Sequence, residues 1–324
     1  MTNRFLLTLG LVVLVAGTVA AGDVYVASNS TSGGANHFPF NANWSSANGE
    51  WRYQAVFTAA QLGNKPFLIT GLSFVPGSTG GFAAKQFEIR MNNLTPSTHS
   101  TGFDTNLGKS PTVVRYAAPL VWNLTASTWC AIPFNCPHMY DGSSDLVVEV
   151  RYAGGSISGG FTGPVVRDSV APRYYAYGTG TYSATTATGT GTSAFRVRLT
   201  HADLTPSSTS PSIGTGVKLA LDSYPDAGTL YVVASSFGNG PNMIGCWPLK
   251  LDVDPLFVIS VNNLAPSIFQ HYQGTLDTSG KGTAAIVIPK LNALVGFVVH
   301  SAFAGTAKSG LTVISDSGVF KINP

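Results

Sequence analysis

Two stretches, Gln86-Phe87-Glu88-Ile89-Arg90-Met91 and Leu146-Val147-Val148-Glu149-Val150-Arg151-Tyr152, decide the fold class. In the first, Phe87, Ile89 and Met91 alternate with Gln86, Glu88 and Arg90. In the second, Leu146, Val148, Val150 and Tyr152 share one face, opposite Val147, Glu149 and Arg151. A period of two belongs to a strand with one buried face. Phe195, Val197 and Leu199 repeat the pattern against Arg196 and Arg198, while residues 68–75 and 230–234 read as more fully buried strands. Turn signals separate these runs: Pro76-Gly77, Asp141-Gly142, Gly154-Gly155, Gly159-Gly160 and Asn239-Gly240. Short strands punctuated in this way predict sandwiches or barrels. Helical periodicity is nearly absent, with a single hint at residues 58–62.

The chain has 324 residues, 44% of them hydrophobic and 10% charged. That length suits about two domains of roughly 150 residues, and the composition excludes a disordered chain, which needs low hydrophobicity and high charge. The net charge of +3 comes from scattered residues with no run of Lys or Arg. A nucleic-acid partner is therefore not expected, because such binders cluster their basic residues on one face.

At the N-terminus, Arg4 precedes an almost unbroken apolar run at residues 5–15, and Val19 and Ala21 fit the positions before a signal-peptidase cut ahead of Gly22. Residues 1–21 thus read as a signal peptide, its apolar core shorter than the about 20 residues of a bilayer span. The apolar stretch at 284–303 is broken by Pro289, Lys290, Asn292 and His300, which predicts two buried strands and a turn rather than a membrane helix. The expected location is secreted, extracellular or in the cell envelope, with no membrane span in the mature chain.

Three cysteines follow. In an oxidising compartment Cys130 and Cys136 read as a disulfide closing a small loop worth about 2 kcal/mol. Metal ligation there would need four N or S ligands, with only His138 close by. Cys246 reads as a buried thiol.

The segment 204–212, rich in Ser and Thr with Pro206 and Pro211, suits a semi-extended linker. It divides a first domain at 23–203 from a second at 213–324, the second being the size of an immunoglobulin-type sandwich. Within the first, residues 174–193 are dominated by Gly, Thr, Ala and Tyr and predict a long loop or loose edge hairpin.

Residues 213–324 resemble a module recurrent in secreted proteins of planctomycete-type bacteria. The likeness rests on Gly214-Thr215-Gly216-Val217-Lys218-Leu219-Ala220-Leu221-Asp222, Ala227-Gly228-Thr229-Leu230-Tyr231-Val232-Val233-Ala234-Ser235-Ser236, Pro248-Leu249 with Asp252, Phe269, Gly274-Thr275-Leu276-Asp277 with Gly280, and Leu294-Val295-Gly296. The first domain is similar, more loosely, to a bacterial secreted jelly-roll-like sandwich. Arg52-Tyr53-Gln54, Ile69-Thr70-Gly71-Leu72-Ser73-Phe74, and Tyr140-Asp141-Gly142 leading into residues 146–150 carry that likeness. The resemblance implies two β-sandwiches, jelly-roll-like then immunoglobulin-like, in an extracellular or envelope setting, and transfers no catalytic role. An extra turn, Ser315-Asp316-Ser317-Gly318, interrupts the last strands.

Chemistry-bearing residues are sparse. Only three glutamates occur; Glu88 and Glu149 lie on the polar phase of their strands with Arg90 and Arg151 two residues on, and Glu50 precedes Trp51. Solvated or charge-paired side chains are expected there. The six histidines show no zinc-site spacing. Asp141, Ser143 and Asp145 on one oxygen-rich loop, with Asp252 and Asp254 as a second pair, are candidate calcium ligands. No other cofactor is expected. Tyr174, Tyr175, Tyr177 and Tyr182, with Trp44 and Trp51, form a candidate sugar-stacking surface. The expected function is a non-catalytic cell-surface protein, structural, adhesive or glycan-binding, with extracellular glycans or surface components as partners. The alternative is a secreted hydrolase with a site in the first domain's loops, drawing on Asp104, Asp141, Asp168, His99 and His138.

Overall fold

A computed structural model describes residues 24–26, 39–40, 49–96, 98–158, 171–192, 194–223, 226–240, 242–307 and 310–324. The expected signal peptide at 1–21, Trp44 and Asp168 lie outside the described residues.

The first half contains β1 (Val24–Val26), β2 (Trp51–Phe57), β3 (Phe67–Phe74), β4 (Gly80–Leu94), β5 (Thr112–Leu124) and β6 (Cys130–Tyr140). It continues with β7 (Asp145–Ala153), β8 (Ser156–Ser158), β9 (Arg173–Tyr177), β10 (Gly189–Gly191) and β11 (Val197–Thr200). One short helix, α1 (Phe103–Leu107), precedes β5. The strands form a sheet of order β1-β11-β3-β6 and a second of order β10-β9-β2-β7-β4-β5, with β8 paired to the start of β4. With β8, β9 and β10 set aside and β11 counted as the eighth strand, the orders become 1-8-3-6 and 2-7-4-5, the two sheets of a jelly roll. Ile69, Leu72, Phe74, Ile132 and Val197 of one sheet meet Tyr53, Phe57, Phe87, Ile89 and Tyr152 of the other in a single core. The alternation at residues 86–91 and 146–152 is what supplies that inner face.

The second half contains β12 (Asp203–Pro206), β13 (Gly216–Asp222), β14 (Leu230–Ser236), β15 (Asn242–Ile244), β16 (Trp247–Leu249) and β17 (Phe269–Gln270). After these come β18 (Gln273–Thr275), β19 (Lys281–Val287), β20 (Val298–Ala307), β21 (Gly310–Ile314) and β22 (Gly318–Lys321). Helix α2 (Pro255–Val261) follows the β15–β16 hairpin. The sheets run β12-β13-β19-β17 and β18-β14-β20-β21, with β22 also on β20. In immunoglobulin lettering β12, β13 and β19 are A, B and E, with the two-residue β17 beside E, and the other sheet is C′-C-F-G, an immunoglobulin-like sandwich. The last strand is split into β21 and β22 by Ser315, Asp316 and Ser317, the extra turn legible in the sequence. The stretch at 284–303 does form buried parts of two strands, β19 and β20, joined by a turn.

Two sequence expectations are corrected here. The segment 204–212 is not wholly a linker: Asp203–Pro206 is a strand paired with Asp222–Leu219, and Leu204 is buried. Only His201 and Ala202 separate β11 from β12, and His201 Nε2 lies 3.0 Å from Asp203 Oδ2. The Ser/Thr-rich composition hid Leu204, and Pro206 fits because it ends an edge strand. The disulfide is also different. Cys136 pairs with Cys246 across 110 residues, with Cα atoms 5.6 Å apart, and Cys130 is free. Cys130 and Cys136 both lie on β6, Cys130 opposite Phe74 and Cys136 beyond Pro133, which faces Gly71; three strand residues at about 3.3 Å each already span roughly 10 Å, beyond the reach of a disulfide. The bond links the edge strand β6 of the jelly roll to the hairpin turn of the second sandwich. Trp247 Nε1 reinforces it by donating to Asn135 O at 3.1 Å.

The hint of helix at 58–62 is a hydrogen-bonded turn, with Leu62 N donating to Thr58 O. Helices α1 and α2 have no counterpart in the sequence reading.

Candidate functional site

The outer face of the larger jelly-roll sheet carries the densest polar chemistry among the described residues. Register places Ala176, Arg52, Arg151 and Glu88 in one row across β9, β2, β7 and β4, and Tyr174, Gln54, Glu149 and Arg90 in the next. Arg52 reaches three acceptors: Nε to Glu149 Oε2 at 2.7 Å, Nη1 to Ala184 O at 2.6 Å and Nη2 to Asp104 Oδ1 at 2.7 Å. Gln54 Nε2 also donates to Glu149 Oε2 and to Phe103 O, while its Oε1 accepts from Asn106 Nδ2. Glu88 is clamped by Arg90 and by Arg151, the latter at 2.8 Å.

This face was expected to be solvated or paired. It is paired and covered: Glu149 has no exposed surface, and Arg52 and Glu88 are buried. The cover consists of α1 and residues 181–187. Phe103 and Leu107 pack on Val56, Val147 and Ala176, and the Arg52 guanidinium sits 4.9 Å over the Phe103 ring. Burial pushes the Glu149 carboxyl up, against the opposing charge and hydrogen bond of Arg52. Burial also works to lower Arg52, but Glu149 and Asp104 outweigh it and hold the guanidinium above its ordinary value. Such a site positions a cap on a sheet; its charges have each other as partners.

The candidate stacking surface divides in two. Successive strand residues point to opposite faces, so Tyr174 lies on the outer face, where its Oη is 2.5 Å from His99 Nδ1, while Tyr175 packs against the main core. Tyr182 belongs to the outer cap, with Arg151 4.6 Å above its ring. The other group is a ladder at the sheet edge: Trp51 stacks on Tyr177 at 5.0 Å, Tyr177 on Tyr175 at 6.4 Å, and Arg173 sits 5.6 Å over Tyr175. Gly189 of β10 makes room for the ladder, since a Cβ there would meet the Tyr175 ring at 2.4 Å. Trp51 is buried and Tyr177 is 41% exposed, so Tyr177 is the accessible platform of this group.

The candidate calcium ligands are engaged in turns. Asp141 Oδ1 accepts from the backbone N–H groups of Ser143 and Ser144, both at 2.8 Å, and Oδ2 accepts from Ser144 Oγ. Burial works to raise the Asp141 carboxyl, but these bonds together outweigh it and hold Asp141 below the usual carboxylate range. Asp145 is buried and accepts from Ala59 N. Asp254 caps α2 through Phe257 N and also accepts from Phe237 N. Among the described residues, no three His, Cys, Asp or Glu side chains gather closely enough to hold a metal ion.

The described candidate hydrolytic groups have separate partners. Asp104 holds Arg52, His99 holds Tyr174, Asp141 holds its turn, and His138 lies between Thr112 Oγ1 at 2.9 Å and Asn93 Oδ1 at 3.2 Å. Burial pushes His138 down to about 4, so it is a neutral structural imidazole near pH 7.

No protein-family model matches the chain, and no curated protein sequence matches it. Among solved structures it is similar to the FN1–FN3 domains of chicken CNTN1, at 9% identity and a TM-score of 0.20. That alignment covers 76% of this chain and 66% of the other, just under two thirds of the neighbour's length. So faint a likeness carries no weight for fold or function, which rest on the strand orders and contacts above.

Proposed function

We propose that the chain is a non-catalytic extracellular protein acting as a rigid adhesive or structural scaffold. One observation carries this reading: the Cys136–Cys246 bond ties the edge of one sandwich to a hairpin of the other. The two-residue connection at His201 and Ala202 leaves the sandwiches little freedom at the chain crossing as well. A disulfide of this kind persists in oxidising surroundings, in keeping with the leader read at residues 1–21. The described carboxylates and imidazoles considered for hydrolysis, Asp104, Asp141, His99 and His138, are bound to structural partners, which supports a role in holding rather than turnover. No described helix is long and apolar enough to cross a membrane.

The test uses residues 22–324 immobilised on beads and challenged with cell-envelope fragments and extracellular polysaccharide. Retention without release of reducing ends or peptides is expected. Turnover that disappears in Asp104→Asn or His99→Ala would overturn the reading.

The exposed Tyr177 ring, preorganised on Trp51, favours a glycan as one ligand of such a scaffold. A glycan array should then give a signal that Tyr177→Ala removes; a blank array removes glycans from the reading.

A further inference from the structure

Helix α2 is apolar on both faces: Leu256, Phe257 and Val261 pack on the core of the second sandwich, yet its outer face is apolar too. Its sequence is Pro255-Leu256-Phe257-Val258-Ile259-Ser260-Val261, and its one polar side chain, Ser260, is the fully buried one. Ser260 Oγ accepts from Ser235 N at 2.9 Å, while Val258 and Ile259 face solvent. A surface helix normally turns its apolar stripe inward and its polar residues out.

Beside α2, a cavity of about 240 Å³ opens at one end of the immunoglobulin-like sandwich. Phe237, Leu256, Ile259, Ile268, Leu294 and Ile322 contribute to its lining, and every lining side chain is apolar. Around it, Leu264 is 68% exposed, Leu291 57% and Phe297 44%, the last packed on Phe237 at 4.9 Å. Contiguous exposed apolar surface marks a binding region more often than scattered residues do. The cavity offers water no hydrogen-bond partner, and a dry apolar cavity of about 150 Å³ already accepts a benzene ring.

Charge narrows the occupant. Residues 255–276 and 291–307 contain no Lys, Arg, Asp or Glu. The charged residue that adjoins a lining residue without strand alternation turning it to the opposite face is Lys290, after Pro289; it is exposed, and no carboxylate adjoins. The nearby Asp254 is committed to the N–H groups of Phe237 and Phe257. A flat protein face would cover the rim and leave the interior empty, whereas a flexible hydrocarbon fills it and gains the contacts its walls lack.

We propose that this cavity binds the alkyl tail of an anionic amphiphile, either a free fatty carboxylate or the acyl chain of an anionic lipid, with Lys290 supplying the complementary charge. The mature chain is titrated calorimetrically with sodium decanoate and with decyltrimethylammonium, which has the same tail and the opposite charge. Decanoate should bind at one site and the cation at least tenfold more weakly. Ala265→Phe, which projects a ring into the cavity, should weaken decanoate at least tenfold while the thermal midpoint holds; Leu294→Phe serves the same purpose should Ala265→Phe fail to fold. Co-sedimentation with phosphatidylglycerol vesicles, lost in the same variant, identifies a lipid acyl chain as the source, and decanoate binding without vesicle binding identifies the free carboxylate. No binding of decanoate, equal binding of the cation, or binding indifferent to both fillings overturns the proposal. So does a concentration-dependent dimer that decanoate leaves intact, which would assign the patch to a second copy of the chain.

Discussion

On the jelly-roll half, the outer face of the larger sheet carries Arg52, Glu149, Glu88 and Arg151 and hides them beneath α1 and residues 181–187. On the immunoglobulin-like half, one buried carboxylate, Asp226, accepts from Ser223 Oγ, and a central network is made of hydroxyls, Ser235, Ser260, Ser301 and Tyr272, while apolar side chains at one end face solvent. The difference is one of what failure costs. A buried ion pair adds little net stability over a hydrophobic replacement, yet leaving one partner alone is severe. A hydroxyl network is worth about 1 kcal/mol per bond and fails gently. The first half is thus fixed in geometry by its charges, and the second leaves an apolar opening whose lining holds no charged side chain.

The largest expected effect comes from breaking the link between the halves. Cys246→Ser removes the closure of a loop of about 100 residues, worth about 4.7 kcal/mol on the chain-entropy account. Calorimetry should show a single transition in the oxidised protein divide into two in the variant. Next is Arg52→Met, which strands Glu149 beside an apolar chain and should cost about 4 kcal/mol, read from denaturant midpoints, with α1 and residues 181–187 gaining amide exchange ahead of the core strands. Loss confined to global stability, with the cap still protected, would sharpen the comparison by showing the cap to be held by Phe103 and Leu107 instead.

A pH effect follows in size. His138 is held near 4 in the folded chain, against about 6.5 when unfolded. Below pH 6.5 the unfolded chain therefore binds a proton that the folded chain refuses, so the stability present above pH 6.5 declines as pH falls toward 4, by about 3 kcal/mol. His138→Asn should flatten this part of the stability profile. The smallest change is Ser260→Ala, about 1 kcal/mol, seen as a small drop in the midpoint of the second transition in the Cys246→Ser background.

Much of the fold was legible because alternation encodes which face of a strand is buried. Residues 86–91 and 146–152 place their apolar side chains in the jelly-roll core as read. Alternation is silent about what lies over the opposite face, so Glu88 and Glu149 read as surface residues although the distant cap at 103–107 and 181–187 covers them. Helix α1 is too short to show a period, and α2 shows a nearly unbroken apolar run because Val258 and Ile259 on its outer face are apolar like Leu256, Phe257 and Val261 on its inner one. Tyr174 and Tyr175 are adjacent in sequence but not in space, because a strand sends successive side chains to opposite faces. Cys130 and Cys136 were misleading for the same reason: closeness along an extended strand is separation in space, and the true partner of Cys136 lies in a hairpin that only tertiary structure brings near. Asp141 did announce its Asp-Gly turn, and the turn is what engages the carboxylate.

The most direct measurement is peptide mapping of the oxidised mature protein after alkylation of free thiols and digestion without reductant. A crosslinked pair joining the Cys136 peptide to the Cys246 peptide, with the alkyl label on Cys130, is the predicted result. A Cys130–Cys136 bond with labelled Cys246 would contradict the account, since the two sandwiches would then have no covalent tie beyond the chain itself.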